Sequence, residues 1–204
     1  MKALFLSVLE EPERFRELVE AHPLSAPLLY IAFQALQVVL APIPGEATGF
    51  IGGYLFGAWW GLLYSMIGLT IGSSIAFYLA RFFRRFFAAR FEKWEKFQKL
   101  KRFMEGRGLL AAFICYLFPG FPKDYLSYFL GLFDLPYPVF LVIMFFGRLP
   151  GTMALALEGA SLYERDWTLL VIVTVLSLLF FGLFYLYRDR LYRYLEGRHA
   201  HRLS

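Results

Sequence analysis

Residues 41–57, APIPGEATGFIGGYLFG, set one carboxylate, Glu46, between prolines and a run of glycines, with apolar sequence on both sides. Pro42 and Pro44 cannot continue a helical hydrogen-bond ladder, and each disfavours helix at the residue before it. Gly45 and Gly53 allow a turn or a close approach of another segment. A break of this kind is costly in lipid and survives only where protein buries it or where it lines a cavity. The stretch therefore predicts the tip of a re-entrant helical hairpin, with Glu46 in a functional site.

The rest of the composition agrees. The 204 residues are 59% hydrophobic and only 18% charged. That is too little charge to cover a soluble domain of this length, so the class is integral membrane. Between Arg81 and Arg107 ten Lys and Arg stand against three Glu, and after Tyr187 five Arg stand against two acids. Basic clusters flanking apolar spans mark a cytoplasmic side. Aromatic residues interleave the first cluster, which argues for a membrane surface and against nucleic acid. Cys115 is the sole cysteine, so no intrachain disulfide can form, and the three histidines, His22, His199 and His201, leave no histidine-based core site. Residues 1–9 lack a cleavage pattern and do not read as a signal peptide.

In order, residues 1–23 predict an amphipathic surface helix and 24–160 the core. A re-entrant segment over 28–57 leads into a transmembrane helix over 54–80, although 24–42 is also just long enough to cross. An amphipathic, basic cytoplasmic linker follows over 81–107. A second re-entrant segment spans 109–133 around PGFPKD, with Pro119, Gly120 and Pro122 at its tip. A span over 135–158 carries GRLPG, including Arg148 and Pro150, and reads as broken in its middle. Residues 158–166 form a short exterior loop, 167–187 a C-terminal transmembrane helix, and 188–204 a basic cytoplasmic tail. Gly53, Gly57 and Gly61, then Gly68 and Gly72, recur at the four-residue interval that lets helices approach closely in lipid.

A shift of 78 positions lays Pro44 on Pro122, Glu46 on Asp124 and Gly53 on Gly131; one further step lays Gly68 and Gly72 on Gly147 and Gly151. Each half reads as a hairpin followed by a span, and the halves enter from opposite sides. The expected fold is an all-α integral membrane protein built as an inverted-topology repeat, with a C-terminal transmembrane helix. Transporters with such repeats bring their broken helices together near the bilayer midplane.

The elements APIPGE, GGYLFG, GLTIGSSIAFYLAR, YLFPGFPKDYLSYFLGLFD and FGRLPGTMALALEG, in this order, resemble the DedA superfamily, also called the VTT-domain or SNARE-associated Golgi protein family. The resemblance implies facing re-entrant hairpins and a flippase or scramblase of phospholipid or polyprenyl phosphate. Glu46 falls on the family's acidic position. Gln34 stands where the bacterial branch has a second acid, and Tyr116 and Pro122 stand where it carries arginines. The pattern from Pro122 to Gly131 is closer to the yeast and animal Golgi-type branch.

Glu46, Lys123, Asp124 and Arg148 are the charges expected deepest in the membrane, where they must meet each other or water. As a functional set, Lys123 and Arg148 would hold a phosphate, Arg in a bidentate fork and Lys as a point charge, while Glu46 titrates or orders the cations. As a structural set they would only pin the hairpins. Asp134 and Glu158 read as ordinary boundary charges. No nucleophile–base set, metal-ligand cluster or phosphate loop occurs, so neither an enzyme nor a bound cofactor is expected. The partners expected are lipids with anionic or phosphate head groups, in a bacterial plasma membrane, with a homo-oligomer left open. Transport of a small ion or anion through the same cleft, and a non-transporting assembly factor, are the alternative readings.

Overall fold

The computed structural model describes residues 17, 19, 21–40, 45–92, 108–117 and 122–196. Most of the N-terminal segment 1–23, residues 93–107 of the basic linker, the hairpin-tip positions Pro42, Pro44, Pro119 and Gly120, and the tail from 197 onward lie outside the described residues.

The described chain is helical: α1 (Ser25–Leu40), α2 (Gly45–Phe56), α3 (Ala58–Glu92), α4 (Leu109–Leu117), α5 (Lys123–Gly131), α6 (Tyr137–Tyr163) and α7 (Trp167–Glu196). Two helices carry apolar stretches long enough to cross a membrane, Ala58–Arg84 in α3 and Tyr137–Tyr163, each of 27 residues. At about 1.5 Å per residue these reach about 40 Å, against a hydrocarbon core of about 30 Å. The helices α2, of 12 residues, and α4 and α5, of nine each, are too short to cross.

Local chemistry sets most of the boundaries. Gly57 ends α2 at a φ of +79°, the left-handed value that closes helices and that side chains resist. The uncharged run 54–80 is therefore divided at Gly57, and its long helix begins at Ala58. At its other end α3 continues through Arg81 to Glu92, so the start of the basic linker prolongs the spanning helix. Helix α6 runs unbroken through 147–151 with Pro150 inside it, where a broken span was expected. The proline leaves the carbonyl of residue 146 without its helical donor, yet contacts with α2, α3, α4 and α7 hold the helix together. The loop before α7 is three residues, 164–166, and Glu158 belongs to α6. Asp166 then caps α7 by accepting from the Leu169 amide at 3.0 Å. The apolar part of α7 reads Trp167–Phe180.

The contacts between helices follow a pattern. The first arm of each hairpin lies along the long helix of its own half: Gly68 packs on Ile31 and Gln34, Gly72 on Ala35 and Val38, and Gly147 on Phe113 and Tyr116. The second arm crosses to the long helix of the other half. Gly53 of α2 lies against Ala156 of α6, and Gly131 of α5 lies against Phe77 of α3. Numbering rises together along α1 and α3, whereas α3 and α6 run in opposite directions: Arg81, far along α3, reaches the Leu135 carbonyl just before α6, while Gly61 near the start of α3 packs on Gly53, which lies against Ala156 far along α6.

Ile67, Ile71 and Ile75 on α3, Val142 and Phe146 on α6 and Leu176 and Leu179 on α7 face outward. The interior mixes an apolar cluster around Phe77, Tyr116, Phe140 and Met144 with buried Gln34, Gln37, Ser65, Ser73, Ser127, Arg148 and Thr152. An apolar coat over such an interior is the pattern of a chain solvated by lipid.

Candidate functional site

Helices α2 and α5 both begin at the centre of the bundle. Glu46 lies in the first turn of α2 and Asp124 in the first turn of α5, where a carboxylate complements the positive end of the helix dipole. The two starts are adjacent, since a Cβ on Gly45 would sit 3.9 Å from Asp124 Oδ2. Arg148 stands near the middle of α6, about 16 Å of helix from Tyr137 at about 1.5 Å per residue, and is 4% exposed.

Arg148 Nη2 donates to Asp124 Oδ1 at 2.8 Å, an ion pair joining the second hairpin tip to the long helix of its half. Its guanidinium lies over the Tyr116 ring, 5.4 Å from the centroid, so α4 supplies a π face to the same cation. The Tyr116 hydroxyl is fixed by Ser127 Oγ at 2.9 Å. Arg148 Nε is buried and has no acceptor within the chain.

Lys123 precedes Asp124 and points its Nζ at Gly151 on α6, 3.5 Å from where a Cβ would be. It lies within electrostatic reach of Arg148, Glu46 and Asp124. Thus the four charges singled out from sequence meet at one level of the bundle: one direct pair, Arg148–Asp124, with Lys123 and Glu46 beside it. Gly53 and Gly131 stand behind this level as packing positions, Pro150 lies exposed within α6, and Pro122 occupies the N-cap position of α5, its carbonyl accepting from Leu126 N at 3.3 Å.

The two expected boundary charges are set apart from this group. Asp134 takes a bidentate fork from Arg84, at 2.7 and 2.9 Å, and Arg81 donates to the carbonyls of Phe133 and Leu135 nearby. Glu158 accepts from Ser177 of α7 at 3.4 Å.

Several polar residues around the tips escaped the reading of the sequence. Tyr30 is the hub of one group: its hydroxyl donates to the Thr48 carbonyl at 2.8 Å, meets Ser65 Oγ at 2.7 Å and accepts from Gln34 Nε2 at 3.0 Å, tying α1, α2 and α3 together. Tyr128 donates to the Val39 carbonyl at 2.6 Å, which satisfies one of the acceptors left open at the end of α1. Gln37, Thr70 and Ser73 carry buried polar atoms with no partner in the chain. Gln34 and Gln37 were visible as interruptions of an apolar arm, and their i, i+3 spacing was the signal that both face inward. Tyr116 and Ser127 gave no such signal, because each is explained only by partners on other helices.

Two adjacent helix starts, two cations and two carboxylates can hold an anion by charge and by backbone N–H groups, with the acids balancing the cations. Among the described residues, no three His, Cys, Asp or Glu side chains come together as a metal site would require. In comparisons with known proteins, the family model for the VTT domain matches residues 43–161. No curated protein and no solved structure matches the chain.

Proposed function

The chain belongs to the VTT-domain family, and from that premise we propose that it carries lipids with a phosphate head group between the two leaflets of a membrane. In this reading α1–α2 and α4–α5 are re-entrant hairpins entering from opposite faces, α7 is a further span, and the halves form an inverted repeat. The basic stretch 81–107 and the C-terminal tail face the cytoplasm of a bacterial cell. Within the family the chain stands nearer the Golgi-type branch, with Tyr116 and Pro122 in place of paired arginines and Lys123 one residue on. Lys123 and Arg148 receive the phosphate, and Glu46 and Asp124 keep the cleft near neutrality between passages.

The placement of Lys123 carries the proposal. Glu46 and Asp124 are accounted for by helix stability alone, since each sits at the positive end of a short helix. Lys123 is not: a cation in the first turn opposes the dipole, and this one neighbours a second cation, Arg148, at the centre of an apolar protein. Side chains so placed in membrane proteins mark substrate and ion pathways. An anionic head group offsets both costs. The contacts of Gly53 with Ala156 and of Gly131 with Phe77 support the inverted repeat, because they relate the two halves by offsets of 78 and 79 positions, the first being the one that aligns Glu46 with Asp124.

The test is leaflet exchange of a tail-labelled phospholipid in liposomes, read with a membrane-impermeant quencher. Exchange should accelerate when the protein is present. Lys123→Met should slow it about tenfold, the worth of one charge-assisted hydrogen bond, while helix content stays unchanged. Equal exchange in empty and protein-containing liposomes would refute the proposal.

A further inference from the structure

Gln37 has no structural work to do where it stands. It is 1% exposed, and neither its amide nitrogen nor its amide oxygen makes a hydrogen bond among the described residues. Gln34, one turn earlier and 0% exposed, is held by one end: its nitrogen donates to Tyr30 in the network that ties three helices, and only its oxygen lacks a partner. An unpaired buried amide opposes folding, and an apolar residue at 37 would remove that penalty.

The amide lies where the two hairpin tips meet. A Cβ on Gly45 would stand 3.5 Å from Gln37 Nε2 and 3.9 Å from Asp124 Oδ2, so the amide and the Asp124–Arg148 pair flank the same backbone position. Arg148 Nε, on the guanidinium that pairs with Asp124, is a further buried group without a partner among the described residues.

The chemistry of these groups separates ligand classes. Arg148 Nε and the Gln37 nitrogen are donors, which phosphate oxygens can satisfy. Gln37 Oε1 is an acceptor only. An ionised phosphate offers acceptors alone and leaves that oxygen unpaired, whereas a hydroxyl or ammonium group beyond the phosphate supplies the missing donor.

We propose that Gln37 reads the head group: its amide bonds the hydroxyl- or amine-bearing part of a phosphodiester lipid while Arg148 and Lys123 hold the phosphate. Such lipids are preferred over those ending in a bare phosphate. This rests on the lipid-translocation reading above and assigns that site its substrate class.

The experiment uses the full chain in phosphatidylcholine liposomes carrying traces of tail-labelled phosphatidylethanolamine, phosphatidylglycerol or phosphatidic acid. Wild-type protein should move the first two about tenfold faster than phosphatidic acid, the worth of one additional hydrogen bond. Gln37→Leu and Gln37→Met should bring the three rates together by slowing the first two more than phosphatidic acid, and should keep or raise the melting temperature. A wild-type protein that moves all three equally, a preference that survives both substitutions, or a uniform slowing of all three would each overturn the assignment of Gln37 while leaving translocation standing. A wild-type protein that moves none of them would overturn the translocation reading and this inference with it.

Discussion

Gly53 and Ala156 meet backbone to backbone, with no room for a side chain between the Gly53 Cα and the Ala156 carbonyl. Gly131, 78 positions after Gly53, meets Phe77, 79 positions before Ala156, in the same way. Each contact is where the second arm of one hairpin leans on the long helix of the other half. The two therefore clamp α2 against α6 and α5 against α3.

Substitution should test the clamp directly. Gly53→Ala and Gly131→Ala each drive a Cβ into a backbone carbonyl that cannot move aside, and overpacking of this kind costs about 1–3 kcal/mol. Gly182 of α7 has nothing within 4 Å of its would-be Cβ, and Gly182→Ala should be neutral or gain up to about 1 kcal/mol of helix propensity. Thermal unfolding in detergent followed by circular dichroism would rank the three. Equal melting temperatures would mean that the close approach is not maintained in the folded protein.

Tyr30→Phe should destabilise far more than the loss of one oxygen suggests. The hydroxyl serves Thr48, Ser65 and Gln34 at once, and its removal strands polar groups on three helices. Each buried group left without a partner costs about 1–3 kcal/mol. Chemical or thermal unfolding should show the loss. A double substitution, Tyr30→Phe with Ser65→Ala, should recover part of it by removing one stranded hydroxyl.

What could be read in advance was what lipid penalises locally. A carboxylate beside prolines and glycines ends a helix, so the starts of α2 and α5 follow from neighbours in the chain, and Glu46 and Asp124 stand half-buried in their first turns. The division at Gly57 did not follow, because the residues around it are uniformly apolar and only a backbone angle separates α2 from α3. Pro150 misled in the opposite sense. It signals a break, but α6 is packed by α2, α4 and α7 along its length, and tertiary contact outweighs the one hydrogen bond lost. The support around Arg148 was hidden for a related reason: Tyr116 and Ser127 are 11 residues apart on different arms, and their hydroxyls meet only once the hairpin folds.

The Arg84–Asp134 fork and the Arg81 contacts hold the same end of α3 to the turn between α5 and α6, yet they should differ in worth. The Asp134 side chain is 65% exposed, and a pair so open to solvent contributes about 0.2–1 kcal/mol. Asp134→Asn should thus shift the melting temperature little, and added salt should erase even that difference. Arg81 donates to two carbonyls of a turn and stacks on Phe77 at 4.4 Å. Arg81→Met should cost more, about 1–3 kcal/mol, with little response to salt. Melting curves of both variants at low and high sodium chloride would separate the two behaviours.

Arg148 and Asp124 offer the sharpest separation of fold from function. Arg148→Met leaves the Asp124 carboxylate at the centre of an apolar protein without its direct partner, and breaking a buried pair from one side costs about 3–5 kcal/mol. Asp124→Leu strands the guanidinium in the same way, with Tyr116 as its remaining neighbour. Combining the two removes both charges, and apolar replacement of a buried pair is often neutral for stability. The double variant should then fold with a melting temperature near that of the wild type. It should still fail to move lipid in liposomes, because the phosphate has lost its fork. If the pair served only to pin the hairpins, the double variant would regain transport along with stability, and that outcome would reduce Arg148 to a structural residue.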